Sequence, residues 1–335
     1  MERLDRRQFE VVGLVSSAAV AECRGAVRAA DILWIGFPHE IQSAWRAIRG
    51  AECDIVLHWQ AGSDVVDYFL PFLPLAPVQC IGFGQHGTAG IANVGYFLSS
   101  RLFERGPQAQ EDYTERLVQF EGPTAWQPRP KPPLPVSRAD FGLPARGAIY
   151  FCPHRLAKFH PDFDALLGRI LQEDGSGHLV VLEGKRPATA ARLRARWART
   201  LGEPLLRRVL FLPSQSPADY YRLLRLADAV LDSPCYSASL TGYDAFALGV
   251  PLVTLPGPHM VQRYALGLYR RMGLEQLVAE DEDRYVELAV RLGGDGDFRQ
   301  AMREEILRRC PVLFEDRQVV WEYEEFFRRA VQPPG

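Results

Sequence analysis

Short apolar runs along this chain are separated by stretches whose apolar residues recur every three or four positions. The first pattern predicts buried strands and the second amphipathic helices. Residues 9–16 (FEVVGLVS), 31–36, 54–58 and 78–83 (VQCIGF) read as strands, and 95–98 begins another. Residues 18–30 and 41–49 read as helices, the second with Ile41, Ala44, Trp45 and Ile48 on one face. Residues 67–73 are aromatic and apolar, and 74–77 turn the chain. The second half repeats the alternation, with strands at 148–152, 178–182, 209–212, 229–231 and 252–255. Its helices are expected at 162–173, 188–201, 218–226, 261–272 and 282–292. A last helix near 317–330 places Val320, Tyr323, Phe326 and Phe327 on one face. Such alternation predicts an α/β fold with parallel sheets.

Residues 122–136 (GPTAWQPRPKPPLPV) are too rich in proline for a helix or an interior strand and read as a semi-rigid linker. The expected organisation is therefore an N-terminal domain at 1–121, a linker at 122–136, a second domain at 137–316 and a terminal helix, 317–335, packing back toward the first domain. Two such domains imply a cleft, with ligands beyond the carboxyl ends of the strands.

The stretch 229–257 (AVLDSPCYSASLTGYDAFALGVPLVTLPG) reads as strand, loop, helix, strand, loop. Its helix is expected to begin at Leu240 or Thr241, with Gly249 just past its end and Pro251 stopping it. Small residues before a helix let a phosphate approach the free N–H groups and the positive end of the dipole. Asp244, one turn in, suits the hydroxyls of a ribose. An ordinary β-α-β crossover with a Ser-rich cap explains the same spacing without any ligand.

Composition narrows the field. At 335 residues, 47% hydrophobic and 24% charged, the chain is long enough for two ordinary globular domains. A net charge of -2 gives no reason to expect nucleic acid or a membrane surface as partner. No apolar run approaches the roughly 20 residues of a spanning helix. The six cysteines are scattered, without a C-x-x-C pair. They read as reduced residues of a cytoplasmic protein. Arg192, Arg194, Arg196 and Arg199 read as a solvated helix face, and Asp162 of the DFD at 162–164 as a cap or first-turn acid, not a metal ligand.

Several stretches, in order, resemble the catalytic region of the O-linked N-acetylglucosamine transferase and SPINDLY family, nearest in pattern to bacterial members with tetratricopeptide repeats ahead of it. They are APVQCIGFGQHGTAGIANVGYFLSS (76–100), SRADFGLP (137–144), LAKFHPDFD (156–164), LADAVLDSP followed by TGYDAFALGVPLVTLPG, YRRMGLEQLVAEDEDRYVELAVRLGGD, and LFED (313–316). The resemblance covers nearly the whole chain. It implies a GT-B glycosyltransferase of two Rossmann-like domains facing a cleft, acting by inversion with no metal or other cofactor. The donor implied is a UDP-sugar, UDP-N-acetylglucosamine before GDP-fucose, and the acceptor a protein or peptide hydroxyl.

Carried over by position, Lys158 contacts the donor diphosphate, Thr241 and Gly242 lie beneath it, Asp244 meets the ribose, and Arg155 stands where a glutamine usually faces the nucleotide. The sequence departs from the family in CYSASL before Thr241, in Pro217 near a lysine position, and in Gln60 after the third strand. Residues 9–16 match the family's second strand, so the N-terminal domain is expected to lack its first strand and a histidine-bearing loop. His86, in the glycine turn 84–90, is the candidate general base, ahead of His58 and His39. A degenerate, non-catalytic module that senses nucleotide sugars is the competing expectation, and a nucleotide-sugar epimerase a third. Oligomeric state stays open.

Overall fold

A computed structural model describes residues 2–332 except 28, 30, 60, 62–64 and 133. The chain forms two compact units, one of Met1–Trp126 with Asp316–Gly335, the other of Gln127–Glu315.

In the first unit, β1 (Val12–Ser16), α1 (Val20–Ala26), β2 (Leu33–Phe37), α2 (Ile41–Arg49), β3 (Ile55–His58), α3 (Val65–Phe69), β4 (Val78–Ile81), β5 (Tyr96–Ser100) and β6 (Arg116–Phe120) follow in order. The strands form two parallel ladders, β1-β2 and β3-β4-β5-β6. β1 and β2 keep most of their side chains partly exposed, unlike the continuous buried run a central strand shows. The aromatic stretch 67–73 forms the end of α3 and a 3-10 turn, Leu70–Phe72. β6 escapes the sequence reading: RLVQF is a half-buried edge strand whose single buried residue is Phe120.

The second unit runs β7 (Ile149–Cys152), α4 (Pro161–Glu173), β8 (His178–Leu182), α5 (Pro187–Thr200), α6 (Glu203–Leu206), β9 (Val209–Leu212), α7 (Pro217–Arg225), β10 (Ala229–Leu231), α8 (Leu240–Ala247), β11 (Leu252–Val253), α9 (Tyr264–Met272), α10 (Glu282–Gly294) and α11 (Gly296–Arg309). Its parallel sheet has the order β11-β10-β7-β8-β9. All four β7 residues are buried, as are Val180, Val181, Val230 and Leu231. Each such side chain contributes roughly 1.5–3 kcal/mol by leaving water. β11 is shorter than the apolar run 252–255 suggests, because Thr254 leaves the ladder to bridge Val278. α11 is missed by periodicity, since Ile306 is its one fully buried residue. α10 lies across β7, β10 and β11 and packs on α4; α8 is held by α7, α9 and α11. Gly249 follows α8 at φ +68°, a backbone state that glycine adopts without strain.

α12 (Arg317–Ala330) belongs to the first unit. Phe326, Tyr323 and Phe327 pack on Cys80, Leu98 and Phe120 of the four-stranded sheet. Glu322 accepts hydrogen bonds from Glu121 N (2.6 Å) and Gly122 N (3.1 Å), and Tyr323 Oη donates to Thr124 O (2.9 Å). The start of the proline-rich stretch is thus buried structure, where the sequence reading placed linker. Among the described residues no helix is long and apolar enough to cross a membrane.

Candidate functional site

The chain adds β8 and β9 on one side of β7, then returns to lay β10 and β11 on the other. The strand order therefore reverses between β7 and β10, which pair in parallel. Loops leaving such a switch point part to opposite sides and open a crevice at the carboxyl end of the sheet. Two loops of this chain start there: residues 153–160 after β7, and 232–239 after β10.

The second loop is fixed by a buried acid. Asp232, 1% exposed, accepts from Ala238 N (2.6 Å), Ser237 Oγ (2.7 Å) and Thr254 Oγ1 (2.7 Å). Ser237 Oγ in turn accepts from Ala265 N (2.9 Å), and Tyr285 Oη donates to Asp232 O (2.8 Å). Burial pushes the carboxyl up to about 6, opposed by its bonds from Thr254, Ser237 and Ala238 and by the charge of Lys158. The loop enters α8 through Ser239, which makes no side-chain cap bond.

The first loop is tied to the second at three points. Ser233 Oγ donates to Lys158 O (3.3 Å). His154 Nε2 lies 3.1 Å from Leu231 O and 3.3 Å from Ser233 N, so either neutral tautomer makes one bond. Although His154 lies 3.8 Å from Asp232, it is no ion-pair partner: burial, and then the charge of Lys158, lower its pKa to about 4. Finally, Lys158 Nζ sits 3.5 Å from the centre of the Tyr236 ring, a cation-π contact. Burial and then the neighbouring Arg155 lower the Lys158 pKa to about 8, with Asp232 pulling the other way. Arg155 itself is exposed.

α7 braces the first turns of α8. Tyr221 Oη donates to Asp244 Oδ1 (3.1 Å), and the Tyr220 hydroxyl shares a hydrogen bond with Thr241. Burial raises the Asp244 carboxyl to about 6, with the Tyr221 bond opposing. The structure thus places Arg155, Lys158, Thr241 and Asp244 on the two loops and the helix that begin at this switch point. Gly242 lies beside Thr241 in the first turn of α8, where a Cβ would stand 2.9 Å from Leu268 Cδ1. His86 stands exposed on the loop after β4, in the other unit. Gln60 lies outside the described residues.

Sequence reasoning missed Asp232, His154 and Tyr236. Asp232 reads only as the polar end of a strand, and its partners lie five to 22 positions away. In the DFD, Asp162 is a first-turn acid of α4 whose N–H is capped by His160 Nδ1 (3.3 Å). Asp164, 2% exposed, accepts from Arg196, Trp197 Nε1 and Thr200 Oγ1, so all its capacity is spent on α5. Among the described residues no cluster of three or more His, Cys, Asp or Glu side chains could hold a metal.

The fold is that of the GT-B class of glycosyltransferases. A mutant O-GlcNAc transferase of Thermobaculum terrenum superposes with a TM-score of 0.76 at 21% identity, over 98% of this chain and 68% of that one. The match to the Glycosyl transferase family 41 model spans residues 124–322, more than half of the chain. The chain belongs to glycosyl transferase family 41. It is 28% identical over 239 residues (68% of this chain) to the Solanum lycopersicum protein named "Probable UDP-N-acetylglucosamine--peptide N-acetylglucosaminyltransferase SPINDLY". It is 30% identical over 200 residues (58% of this chain) to a Caenorhabditis elegans UDP-N-acetylglucosamine--peptide N-acetylglucosaminyltransferase. The matched regions span 25% and 17% of those two relatives.

Proposed function

We propose that the chain is an inverting glycosyltransferase, needing no metal, that moves N-acetylglucosamine from UDP to a hydroxyl of a protein. The observation that carries this reading is the pair of cations, Lys158 and Arg155, held beside the loop into α8 at the switch point of a family 41 fold. Their charge, with the N-terminus of α8, suits a diphosphate. In the reaction the acceptor oxygen bonds to the anomeric carbon while the bond from that carbon to the diphosphate oxygen breaks. The acceptor proton passes to a base, and the departing UDP gains negative charge that Lys158 stabilises where it develops. Asp244 receives the ribose hydroxyls. His86 is the base in this reading. His86→Ala should lower transfer by about 10²–10⁴-fold while leaving the dissociation constant of UDP unchanged; parallel turnover and titration assays check this, and a changed affinity would remove the assignment.

Calorimetric titration of the chain with UDP, UDP-N-acetylglucosamine and GDP-fucose, followed by transfer to protein acceptors, tests the reading. Selective binding of the uridine nucleotides supports it; binding of GDP-fucose alone would replace the donor. Affinity for UDP should also pass through a maximum between about pH 6 and pH 8. Below that window Asp244 gains a proton and accepts fewer bonds from ribose; above it Lys158 loses the charge that holds the diphosphate. Titrations from pH 5 to pH 9 check the shape, and a flat profile would mean that neither group meets the nucleotide. A second reading, a binding module without turnover, is favoured by the Tyr236 ring that already covers Lys158 Nζ. Tight UDP binding with neither transfer nor donor hydrolysis would establish it.

A further inference from the structure

β6 closes one edge of the first unit's four-stranded sheet; among the described residues no strand pairs with its outer side. Arg116 N bonds to Gly95 O and Arg101 N to Phe120 O, so the even-numbered residues of β6 bond inward to β5. The odd-numbered backbone groups point outward. Two of these are already satisfied. Gln110 Oε1 accepts from Leu117 N (2.9 Å), and Glu322 accepts from Glu121 N (2.6 Å). Between the two caps lie the carbonyl of Leu117 and both backbone groups of Gln119. They open into a groove of about 540 Å³ between β6 and α12, walled on the helix side by Trp321, Glu325 and Arg329. Trp321 is 56% exposed, although its neighbour Glu322 is buried.

We propose that this groove docks an extended, acidic polypeptide segment that adds a strand to β6. Three observations select that occupant. The floor offers main-chain acceptor, donor and acceptor groups in ladder spacing, which an extended backbone complements along its length. Trp321 supplies a flat, exposed apolar wall one helix turn from Glu325. The charge is uneven: Glu322 is occupied by two backbone N–H groups and Glu325 by Arg328 and Arg329, whereas Arg116 has no ion-pair partner among the described residues. An acidic residue of the incoming segment would meet Arg116. A second copy of β6 would bring the same arginines to the same groove, which disfavours pairing of the chain with itself. The two caps also confine pairing to a short stretch, in keeping with how exposed edges are protected from open-ended association. The inference stands independently of the donor site.

The test uses the full chain and a labelled heptapeptide, acetyl-DVTVTVD-amide, with two counterparts: the same peptide N-methylated at alternate residues, and acetyl-KVTVTVK-amide. Anisotropy titration should show saturable binding of the acidic peptide, at least tenfold weaker binding of the lysine peptide, and none of the methylated one. Gln119→Pro removes the outward N–H and leaves the inward ladder intact; Trp321→Ala removes an exposed wall. Each should weaken binding at least tenfold with an unchanged melting temperature. If Gln119→Pro fails to fold, Trp321→Ala alone decides. No binding of the acidic peptide, equal binding of its methylated form, or affinity indifferent to the folded variants would overturn the proposal. So would a dimer of the free chain that dissociates in Trp321→Ala, since that would give the edge to a second copy.

Discussion

Lys158→Ala should raise the dissociation constant of UDP about 10- to 100-fold, the loss expected when a charge-assisted bond worth about 1.5–3 kcal/mol is removed. Transfer should fall further, by about 10²–10³-fold, because the leaving diphosphate carries more negative charge in the transition state than in the bound donor. The split between the two effects is informative. Titration with UDP-N-acetylglucosamine measures the ground-state contact, and turnover at saturating donor measures what is gained afterwards. Lys158→Arg restores charge but places a planar fork where a compact ammonium sits on the Tyr236 ring, so it should recover affinity better than turnover. A variant that folds, binds UDP as the parent does and retains transfer would remove Lys158 from the donor site.

Asp232→Ala should destabilise the second unit by about 3–5 kcal/mol. The change strands Ala238 N, Ser237 Oγ and Thr254 Oγ1 inside the protein, and each buried unpaired donor costs about 1–3 kcal/mol. Shared relaxation keeps the sum below three full penalties. Asp232→Asn, which keeps one acceptor oxygen and the shape, should lose less stability. Both variants free the 233–239 loop, so UDP affinity should drop even where the protein remains folded. Denaturant melts paired with UDP titration check the two arms. Loss of stability without loss of affinity would mean that the loop does not shape the donor site.

The apolar runs of β7, β8 and β10 are legible in the sequence because both faces of these strands are buried, and burial on two faces leaves no polar interruption. The helix after β10, its glycine stop and the acid one turn in are legible for a similar reason, since local backbone rules set them. β6 and α11 are not, because each shows the core only a residue or two, too few to mark a period. At the candidate site, Lys158 and Arg155 are legible only through the likeness to a family, whereas Thr241 and Asp244 are marked by the helix start as well. Asp232 and Tyr236 required the fold: an acid that takes bonds from Ser237 and Thr254, and a ring laid over Lys158, are meetings that no spacing predicts. Gly242 also required the fold, for the contact its missing Cβ leaves open to Leu268 is not visible in the spacing.

Because α12 returns to the first sheet, the first unit is interrupted in sequence and the second is an insert within it. The two seams of the insert adjoin, since Glu315 N donates to Gln127 O at 2.8 Å. Residues 127–315 therefore form a cassette that carries the whole five-stranded sheet with Arg155, Lys158, Thr241 and Asp244. Excising it and bridging Trp126 to Asp316 leaves the host sheet with its covering helix. Trimming the chain from its carboxyl end does the opposite, uncovering Phe120 and Tyr96 while the cassette stays whole. A recombination event that respects both seams exchanges the five-stranded cassette while the host keeps its own sheet and helix.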